Sequence, residues 1–402
     1  MGLPYLILAF IARLPFAMTV VGTLTTLVAR GYSIAEAGLV SALVGIGTAA
    51  AAPLLGRGVE RFGQRRVLLV VAVGFAAALF GFIVLAAYDA PVSLLIVVAL
   101  VLGVMSPQVA PMSRTRVSVA ARAHKSQALV DRSMGYESIA DEGSFVIGPV
   151  LVGILAVAFG DLAPLLFAVA ITVTAIVAFA LHPTARPVSR AVDRSSGGSV
   201  RLVTRHFVLL VSGMAAVGGV FGATLTSLTG RLESDGIAEW TGLIYGVMSV
   251  GSIVSAAFVT RIPSKVLPRR WRWCGGAILT AAALLLLALP WPIIGTVFSL
   301  AVLGLGVGAS LATIFSYTTD VIPQERQASA FAILTSALVV GQALITAATG
   351  QVVGVGGYSA GYVVACVVGV LLLLVALAER FDARRDVTSG VSPSSGSSQR
   401  RH

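Results

Sequence analysis

Four charged residues stand inside long apolar runs of the sequence, where each could carry chemistry. Arg13 lies in the first run, and Glu137, Asp141 and Glu142 begin the fifth. A charge at the centre of a bilayer costs roughly 3 kcal/mol on insertion scales, so such a residue marks a functional hypothesis. A buried carboxyl can take up and release a proton as its surroundings change. We therefore predict Asp141 and Glu142 as proton carriers, with Glu137 as a third candidate near the start of its helix.

A structural ion-pair set is the alternative for the same residues. In that arrangement Arg13 or Arg114 would pair with the acids of the fifth run and hold the first half of the chain together. The position of Arg13 favours this alternative, because it projects roughly 80–140° away from Thr19, Thr23 and Thr26 on its own helix. The sequence leaves both interpretations open.

The acids of the fifth run precede a glycine- and proline-containing stretch, GSFVIGPVLVG. At about 100° per residue, one face of this run carries Glu137, Asp141 and Gly148. A second stripe, about 100° further round the helix, carries Glu142, Pro149 and Gly153. The glycines would let a neighbouring helix approach closely, and the proline would loosen the backbone hydrogen bonds.

Polar residues at helical spacing in other runs predict the lining of a cavity. In the fourth run, Met105, Gln108 and Met112 are predicted to share one face, and methionine suits an adaptable, mainly apolar site. The full set of cavity candidates is Thr19, Thr23, Met105, Gln108, Met112, Ser310, Thr313, Tyr317 and Gln342. The alternative for each of them is interhelical packing, in which hydroxyl and amide groups join neighbouring helices.

The elements that must position these residues are long apolar helices. Apolar residues make up 57% of the 402 and charged residues 11%, against roughly 25% charged in ordinary globular chains. A bilayer span needs about 20 apolar residues, and a helix satisfies its own backbone there. We therefore predict an all-α integral membrane protein with twelve spans. The predicted spans cover residues 5–28, 35–55, 67–88, 92–112, 134–159, 164–181, 207–229, 240–260, 273–289, 292–317, 328–353 and 358–377.

The basic residues predict the orientation of the chain, whose formal net charge is +11. Of its 28 Lys and Arg residues, Arg30 and Arg231 fall on one side of the threaded chain, Arg13 lies within a span, and the others fall on the opposite side. Positive charge marks the cytoplasmic face, so both termini are predicted to be cytoplasmic. The preference for Arg over Lys, with abundant Ala and Val, is typical of a GC-rich bacterium and hence of its plasma membrane. The charge is a topology signal, and no nucleic-acid partner is expected.

The runs divide into two halves of six spans each. The predicted segments are an N-terminal six-helix bundle at 1–181, a cytoplasmic linker at 182–206, a C-terminal six-helix bundle at 207–378 and a disordered cytoplasmic tail at 379–402. The linker and the tail are rich in Pro, Ser and Gly. The stretch GTAAAAPLLGRGVERFGQRR from Gly47 matches GSIVSAAFVTRIPSKVLPRR from Gly251. This match indicates duplicated, parallel halves, an architecture that secondary transporters use.

No cofactor or metal site is expected from the sequence. Cys274 and Cys366 both fall in predicted spans, so a disulfide framework is not expected. The glycine-rich segments lack the strand–loop–helix context of a phosphate-binding loop. The four histidines are expected in loops or the tail, and none is predicted to be a buried proton carrier: His124, His182, His206 and His402.

The loop GRGVERFGQRRVL that follows the second span resembles the signature loop of the major facilitator superfamily. The matching residues are Gly56, Arg61, Gly63, Arg65 and Leu68, with Glu60 in place of the family's aspartate. The resemblance implies a conformational-switch role for this loop and the twelve-helix fold of that family. It implies that the first, fourth, seventh and tenth helices line a central cavity, while the second, fifth, eighth and eleventh form the interface between the halves. The stretch around Gly148, Pro149 and Gly153 is similar to the family's antiporter motif, so Gly148 is expected at that interface.

The resemblance implies a secondary transporter that works by alternating access. We expect a monomer in the lipid bilayer that exports a small molecule, such as a drug, a sugar or an amino-acid-like metabolite, in exchange for protons. The alternative is an importer or facilitator of a sugar or organic acid. A membrane-embedded transferase is less favoured, because it would need histidines paired with acids at the interface, and no enzymatic activity is expected.

Overall fold

The computed structural model describes residues 2–123, 127–185, 204–262, 266–322 and 327–388. Within these ranges some side chains are not described, including those of Glu60, Glu142 and residues 121–135. Every regular element of the described ranges is helical. The α-helices are α1 Leu3–Ile11, α2 Leu14–Ala29, α3 Ile34–Phe62, α4 Gln64–Ala87, α5 Val92–Val104, α6 Val109–Ala123, α7 Gln127–Phe159, α8 Ala163–Ile171, α9 Val177–Leu181, α10 Arg205–Ser234, α11 Thr241–Arg261, α12 Arg269–Leu287, α13 Ile293–Val321 and α14 Gln327–Thr388.

The helices are long and apolar enough to cross a bilayer repeatedly. Nine stretches of the described residues reach the length and hydropathy of a span, and Gly143–Phe159 is a shorter apolar helix. One of the nine, Ala330–Arg380, is 51 residues long and contains a break at Gly357, whose φ of 72° and ψ of 177° are not helical. It therefore provides two crossings, which we call the first and second arms of α14. With the 19-residue α12, these segments are consistent with the twelve spans predicted from the sequence.

The first and fourth spans are each divided into two helices. In the first, α1 ends at Ile11 and α2 begins at Leu14, because Pro15 has no N–H to continue the hydrogen-bond ladder. In the fourth, Pro107 lies in the non-helical segment between α5 and α6. The predicted shared face of Met105, Gln108 and Met112 is therefore wrong, since no continuous helix joins these residues.

The two matched segments of the sequence make matched helix crossings. A Cβ atom built on Gly47 in α3 would lie 3.1 Å from the Cα of Gly103 in α5. A Cβ atom built on Gly251 in α11 would lie 3.3 Å from the Cα of Gly304 in α13. The absence of side chains lets both pairs of helices cross at short distance. The repeated glycine thus has the same packing role in both halves.

The molecule has two ends with opposite charge. At the end that we call the basic end, the turn at Gly63 joins α3 to α4, and four arginines near it are exposed: Arg57, Arg61, Arg65 and Arg66. At the other end, which we call the acidic end, six carboxyl side chains lie on or beside the loops: Glu36, Asp89, Asp161, Glu233, Asp235 and Glu239. The two arginines of the acidic end are bonded within their own halves, Arg30 to Asp161 and Arg231 to the hydroxyl of Thr296 at 2.6 Å.

The helices extend into the segments predicted as linker and tail. Helix α10 begins at Arg205, where the side chain of Thr204 accepts a hydrogen bond from the Phe207 amide at 3.2 Å. Helix α14 continues to Thr388, ten residues into the predicted tail, and Glu379 there is fully buried. Residues 186–203 and 389–402, which make up most of the predicted linker and tail, lie outside the described residues.

Candidate functional site

The charged residues of the first and fifth spans meet where the first span is broken. Arg13 lies between α1 and α2, and its side chain is only 3% exposed. Its Nη1 donates to the carbonyl of Ala9 at 2.7 Å, and its Nε donates to Oδ1 of Asp141 at 2.7 Å. Its Nη2 donates to Oε2 of Glu137. The break in the helix therefore directs one guanidinium group to two carboxylates of α7.

Glu137 is the most deeply buried acid of this cluster. Its side chain is 0% exposed, against 19% for Asp141. Its second oxygen, Oε1, accepts a hydrogen bond from the Ser113 hydroxyl at 2.8 Å. The sequence ranked Glu137 third because the fifth span was predicted to begin at residue 134. The helix begins instead at Gln127, so Glu137 lies well inside it rather than at its start.

Asp141 joins two arginines. Its Oδ1 accepts from Arg13, and its Oδ2 accepts from Nη2 of Arg114 on α6. The four charges of Arg13, Arg114, Glu137 and Asp141 balance, which a buried ionic group requires because an unpaired charge there is strongly destabilising. We call these four side chains the ionic cluster. The side chain of Glu142, the other predicted proton carrier, lies outside the described residues.

A fully buried arginine that the sequence analysis did not single out extends this site toward the basic end. Arg116 on α6 is 2% exposed. Its Nε donates to Oε1 of Gln64 at 2.9 Å, and its Nη1 donates to the carbonyl of Phe179 at 2.7 Å. Its guanidinium also lies 4.0 Å from the centre of the Phe179 ring. The sequence clue that could have identified Arg116 is its position two residues after Arg114. Both lie on a helix that continues past residue 112, where the span was predicted to end.

The signature loop adopts a glycine turn at the basic end. Gly63 has a φ of 83°, a left-handed conformation that favours glycine, and it lets α4 begin directly after α3. Arg61 and Arg65 are exposed beside it, and no atom lies within 4 Å of a Cβ built on Gly56. The side chain of Glu60 lies outside the described residues. The switch role of this loop stays a prediction.

The glycine–proline stretch of α7 serves two different contacts. A Cβ on Gly148 would lie 2.7 Å from the Cβ of Ala17 in α2, so Gly148 packs within the first half. The expectation that Gly148 lies at the interface between the halves is therefore wrong. Its face also carries Glu137 and Asp141, and all three face the first span.

The other stripe of α7 faces the second half. A Cβ on Gly153 would lie 2.6 Å from the carbonyl carbon of Gly242 in α11, and one on Gly242 would lie 2.8 Å from the carbonyl oxygen of Pro149. A second crossing joins α3 to the first arm of α14, where a Cβ on Gly38 would lie 3.3 Å from the Cα of Gly350. Both crossings lie toward the acidic end, so the two halves are held together there.

Five of the nine predicted cavity residues are buried, and the four hydroxyl-bearing ones among these are bonded to their own helices. Hydroxyl groups donate to backbone carbonyls three or four residues earlier, at 2.7 Å for Thr19, 3.2 Å for Thr23, 3.0 Å for Ser310 and 2.7 Å for Thr313. The Ser310 hydroxyl also packs against Gly276 in α12, and Met105 packs against Gly74 in α4. Met112 is buried, whereas Met105, Gln108, Tyr317 and Gln342 are half-buried.

Of the two described histidines, one differs from the expectation that all of them lie in loops or the tail, and the other lies in a loop as predicted. His206 lies in α10, and its Nδ1 is 2.8 Å from Oε1 of the buried Glu379. His182 lies beside a short 3-10 turn, with its ring centre 5.1 Å from that of Tyr5. Burial lowers the pKa of His182, and the positive charge of Arg116 lowers it further. His124 and His402 lie outside the described residues. Among the described residues no group of three or more His, Cys, Asp or Glu could hold a metal ion.

These features define a multi-pass α-helical membrane protein with a buried ionic cluster in its first half. The chain belongs to the major facilitator superfamily, a family of membrane transporters whose model matches residues 5–330 and 242–397. None of the curated proteins matches the sequence significantly.

Solved structures with the same fold are similar over nearly the whole chain. The nucleoside transporter NupG has a TM-score of 0.66 at 15% identity, covering 95% of this chain and 99% of its own. A bacterial homologue of the human lysosomal transporter Spinster, in an inward-facing and occupied conformation, has a TM-score of 0.69 at 15% identity, covering 98% and 100%. A D-xylose–proton symporter has a TM-score of 0.70 at 14% identity, covering 93% and 96%. At these identities the likeness shows the fold.

Proposed function

We propose that this transporter exports a small molecule in exchange for protons, by alternating access between two six-helix bundles. The observation that carries the proposal is the ionic cluster, in which Glu137 and Asp141 are held by arginines between the helices of the first half. Buried carboxylates that can be paired or released are the groups a proton-driven transporter needs. The cluster also sits at the break in the first span, where a helix can change direction.

Protonation of either acid would disturb the balance of the cluster. Neutralising Glu137 would leave Arg13 with one carboxylate, shared with Arg114, and a buried charge without full compensation is costly. The cluster would relax by moving α1 and α2 relative to α7. Because Gly148 packs directly on Ala17, α2 and α7 cannot shift past one another without a change in that contact. Proton uptake would in this way favour a different arrangement of the first half.

Alternating access would use the contacts of the acidic end as one gate. The crossings of α7 with α11 and of α3 with α14 would separate when that end opens, while the basic end closes. The half-buried Gln108, Tyr317 and Gln342 supply amide and phenol groups for a substrate. The excess of arginine at the basic end supports cytoplasmic termini in a bacterial plasma membrane. We propose that the monomer is the working unit, and that the protein has no enzymatic activity.

Import coupled to protons is the second candidate. Import would use the same ionic cluster, with substrate and protons moving in the same direction. The fold shared with a D-xylose–proton symporter supports this candidate. A sugar, a nucleoside or an organic acid would then be the substrate. The two candidates differ in whether substrate and protons cross the membrane in opposite or in the same direction.

Reconstituted transport with an imposed pH gradient tests the proposal. A panel of drugs, sugars, nucleosides and amino acids identifies the substrate, and the sign of the gradient that drives its uptake separates antiport from symport. Glu137→Gln and Asp141→Asn are expected to abolish gradient-driven transport while retaining substrate exchange without a gradient. Asp161→Asn is the matched control, since Asp161 pairs with Arg30 at the acidic end, outside the cluster. Full gradient-driven transport in both cluster variants would show that these acids are structural.

A further inference from the structure

A continuous row of polar groups leads from the ionic cluster to the signature loop. Ser113 donates to Oε1 of Glu137 at 2.8 Å, and its hydroxyl lies 3.4 Å from that of Tyr5. The centre of the Tyr5 ring lies 5.9 Å from that of Phe179, and the Arg116 guanidinium lies 4.0 Å from the centre of the same Phe179 ring. Arg116 in turn donates to Gln64 at 2.9 Å. Gln64 is the first residue of α4, directly after the glycine turn of the signature loop.

This row is shielded from solvent over most of its length. Glu137 and Ser113 are 0% exposed, and Tyr5 and Arg116 are 2% exposed. In such surroundings each group depends on its neighbours in the row, because an unpaired buried polar group is costly. Arg116 is held by Gln64 and by the carbonyl and ring of Phe179, while its Nη2 has no hydrogen-bond partner among the described residues. A change in the orientation of the Tyr5 hydroxyl is therefore expected to affect the position of Arg116, which has few other bonds.

We propose that Ser113, Tyr5 and Arg116 are positioning residues that couple protonation of Glu137 to the position of the signature loop, residues 56–68. The inference rests on the proposed proton coupling. It assigns these three residues as the path by which protonation of Glu137 affects the basic end. With Glu137 ionised, the Ser113 hydroxyl donates to the carboxylate. Ser113 then accepts from Tyr5, whose oxygen lone pairs are free to face the Arg116 cation. Every proton in the row points toward Glu137, and the row is stable.

With Glu137 protonated at Oε1, the direction of the row reverses. The new carboxyl proton is donated to Ser113, whose hydroxyl must then donate to the oxygen of Tyr5. The Tyr5 proton is turned away from Ser113 and toward the side where Arg116 lies, which is unfavourable next to a cation. The hydroxyl protons only change direction. The row gains the one proton taken up by Glu137 and loses none. The contact of Arg116 with Gln64 weakens, and the end of α4 that carries the signature loop is released.

The groups around the row fit this assignment. Arg13 and Asp141 stand beside Glu137 at one end, with Arg114 beyond Asp141. At the other end the His182 ring lies against Tyr5, and burial lowers the pKa of that histidine, which disfavours its charged form. The row is therefore the neutral link between a charged cluster and a buried arginine.

The experiment compares Tyr5→Phe with Tyr136→Phe in proteoliposomes. Phenylalanine at position 5 keeps the ring that packs on Phe179 and His182 and removes the hydroxyl alone. Tyr136 is the matched control, since its hydroxyl donates to the Leu6 carbonyl at 2.8 Å in the same region but outside the row. Two quantities are measured for each variant: gradient-driven transport, and the labelling rate of a cysteine placed at Arg57 as a function of pH. That rate is divided at each pH by the rate for the same protein unfolded in denaturant, because the reactive thiolate fraction of any cysteine rises with pH.

The wild type and Tyr136→Phe are expected to label at position 57 with the same pH dependence. Tyr5→Phe is expected to lose that dependence and at least tenfold of its gradient-driven transport, while keeping substrate exchange. Ser113→Ala should behave like Tyr5→Phe, and Ser113→Thr should restore the wild-type profile. A wild-type pH profile and wild-type gradient-driven transport in both Tyr5→Phe and Ser113→Ala would overturn the inference. If Glu137→Gln also retained both properties, the proposed proton coupling itself would fail, so the two failures are distinguishable.

Discussion

The crossing of α7 and α11 at the acidic end can be tested by adding one methyl group at Gly153. A Cβ there would lie 2.0 Å from the backbone nitrogen of Leu243 and 2.6 Å from the carbonyl carbon of Gly242. These are backbone atoms of a helix, so they cannot rotate away as a flexible side chain could. The helices would have to separate by roughly 1.5 Å to restore an ordinary van der Waals distance of about 3.5 Å.

The added methyl group raises the free energy only of the conformation in which α7 and α11 are in contact. Inserting a methyl group into a well-packed contact costs about 1–3 kcal/mol. That cost applies while α7 and α11 touch, and it disappears when the acidic end opens. The helix-propensity gain of Gly153→Ala, about 0.5–1 kcal/mol, applies to both conformations and cancels. The equilibrium is therefore expected to shift toward the conformation open at the acidic end by about 5- to 150-fold.

The assay is the labelling rate of a single cysteine placed at Ala343, a residue of the neighbouring α3–α14 crossing that is 4% exposed and whose Cβ faces Gly45 of α3. Cys274 and Cys366 are replaced first, and the purified protein is labelled in detergent with a water-soluble thiol reagent. Gly153→Ala is expected to raise the rate by the factor above, and Gly81→Ala, where no atom lies within 4 Å of the new Cβ, is expected to leave it unchanged. An unchanged rate in a Gly153→Ala protein of normal thermal stability would refute the reasoning.

Three further expectations concern topology, the signature loop and the packing of the first half. A cysteine at Ser195 should be labelled only from the cytoplasm and one at Ser234 only from outside; labelling from the reversed sides would overturn the orientation. Glu60→Gln and Arg61→Ala should reduce transport several-fold without preventing membrane insertion, and normal transport in both would make the loop a topology marker alone. Gly148→Leu should lower the free energy of unfolding by about 3 kcal/mol, measured by denaturation, because the added side chain enters the α2–α7 contact inside one half; an unchanged denaturation curve would contradict that packing.

The sequence was informative where a local pattern has one physical solution. Apolar runs of span length form helices in a bilayer, so the all-helical membrane fold followed from the sequence alone. The tight turn at Gly63 has a similarly local cause. Its φ of 83° favours a residue without a Cβ. The offset between Gly47 and Gly251 predicted duplicated crossings, and both glycines do pack against a glycine of another helix.

The sequence was misleading where hydropathy was used to place helix ends. Hydropathy reports where a membrane begins, whereas a helix continues as long as its backbone bonds are satisfied. Glu137 was ranked third because α7 was started too late, and His206 was placed in a loop because α10 was started too late as well. The division of the fourth span at Pro107 separated three residues that were predicted to share a face.

What only the tertiary structure decided is which helix each face meets. Spacing alone put Gly148 and Gly153 of α7 on different stripes, but it could not say that the first faces α2 and the second α11. Nor could it say that Arg13 bonds both Glu137 and Asp141, or that Arg116 is buried between Gln64 and Phe179. A helix of known sequence fixes the angles between its own side chains. The partner of each face depends on how separate helices pack, and that is a property of the whole chain.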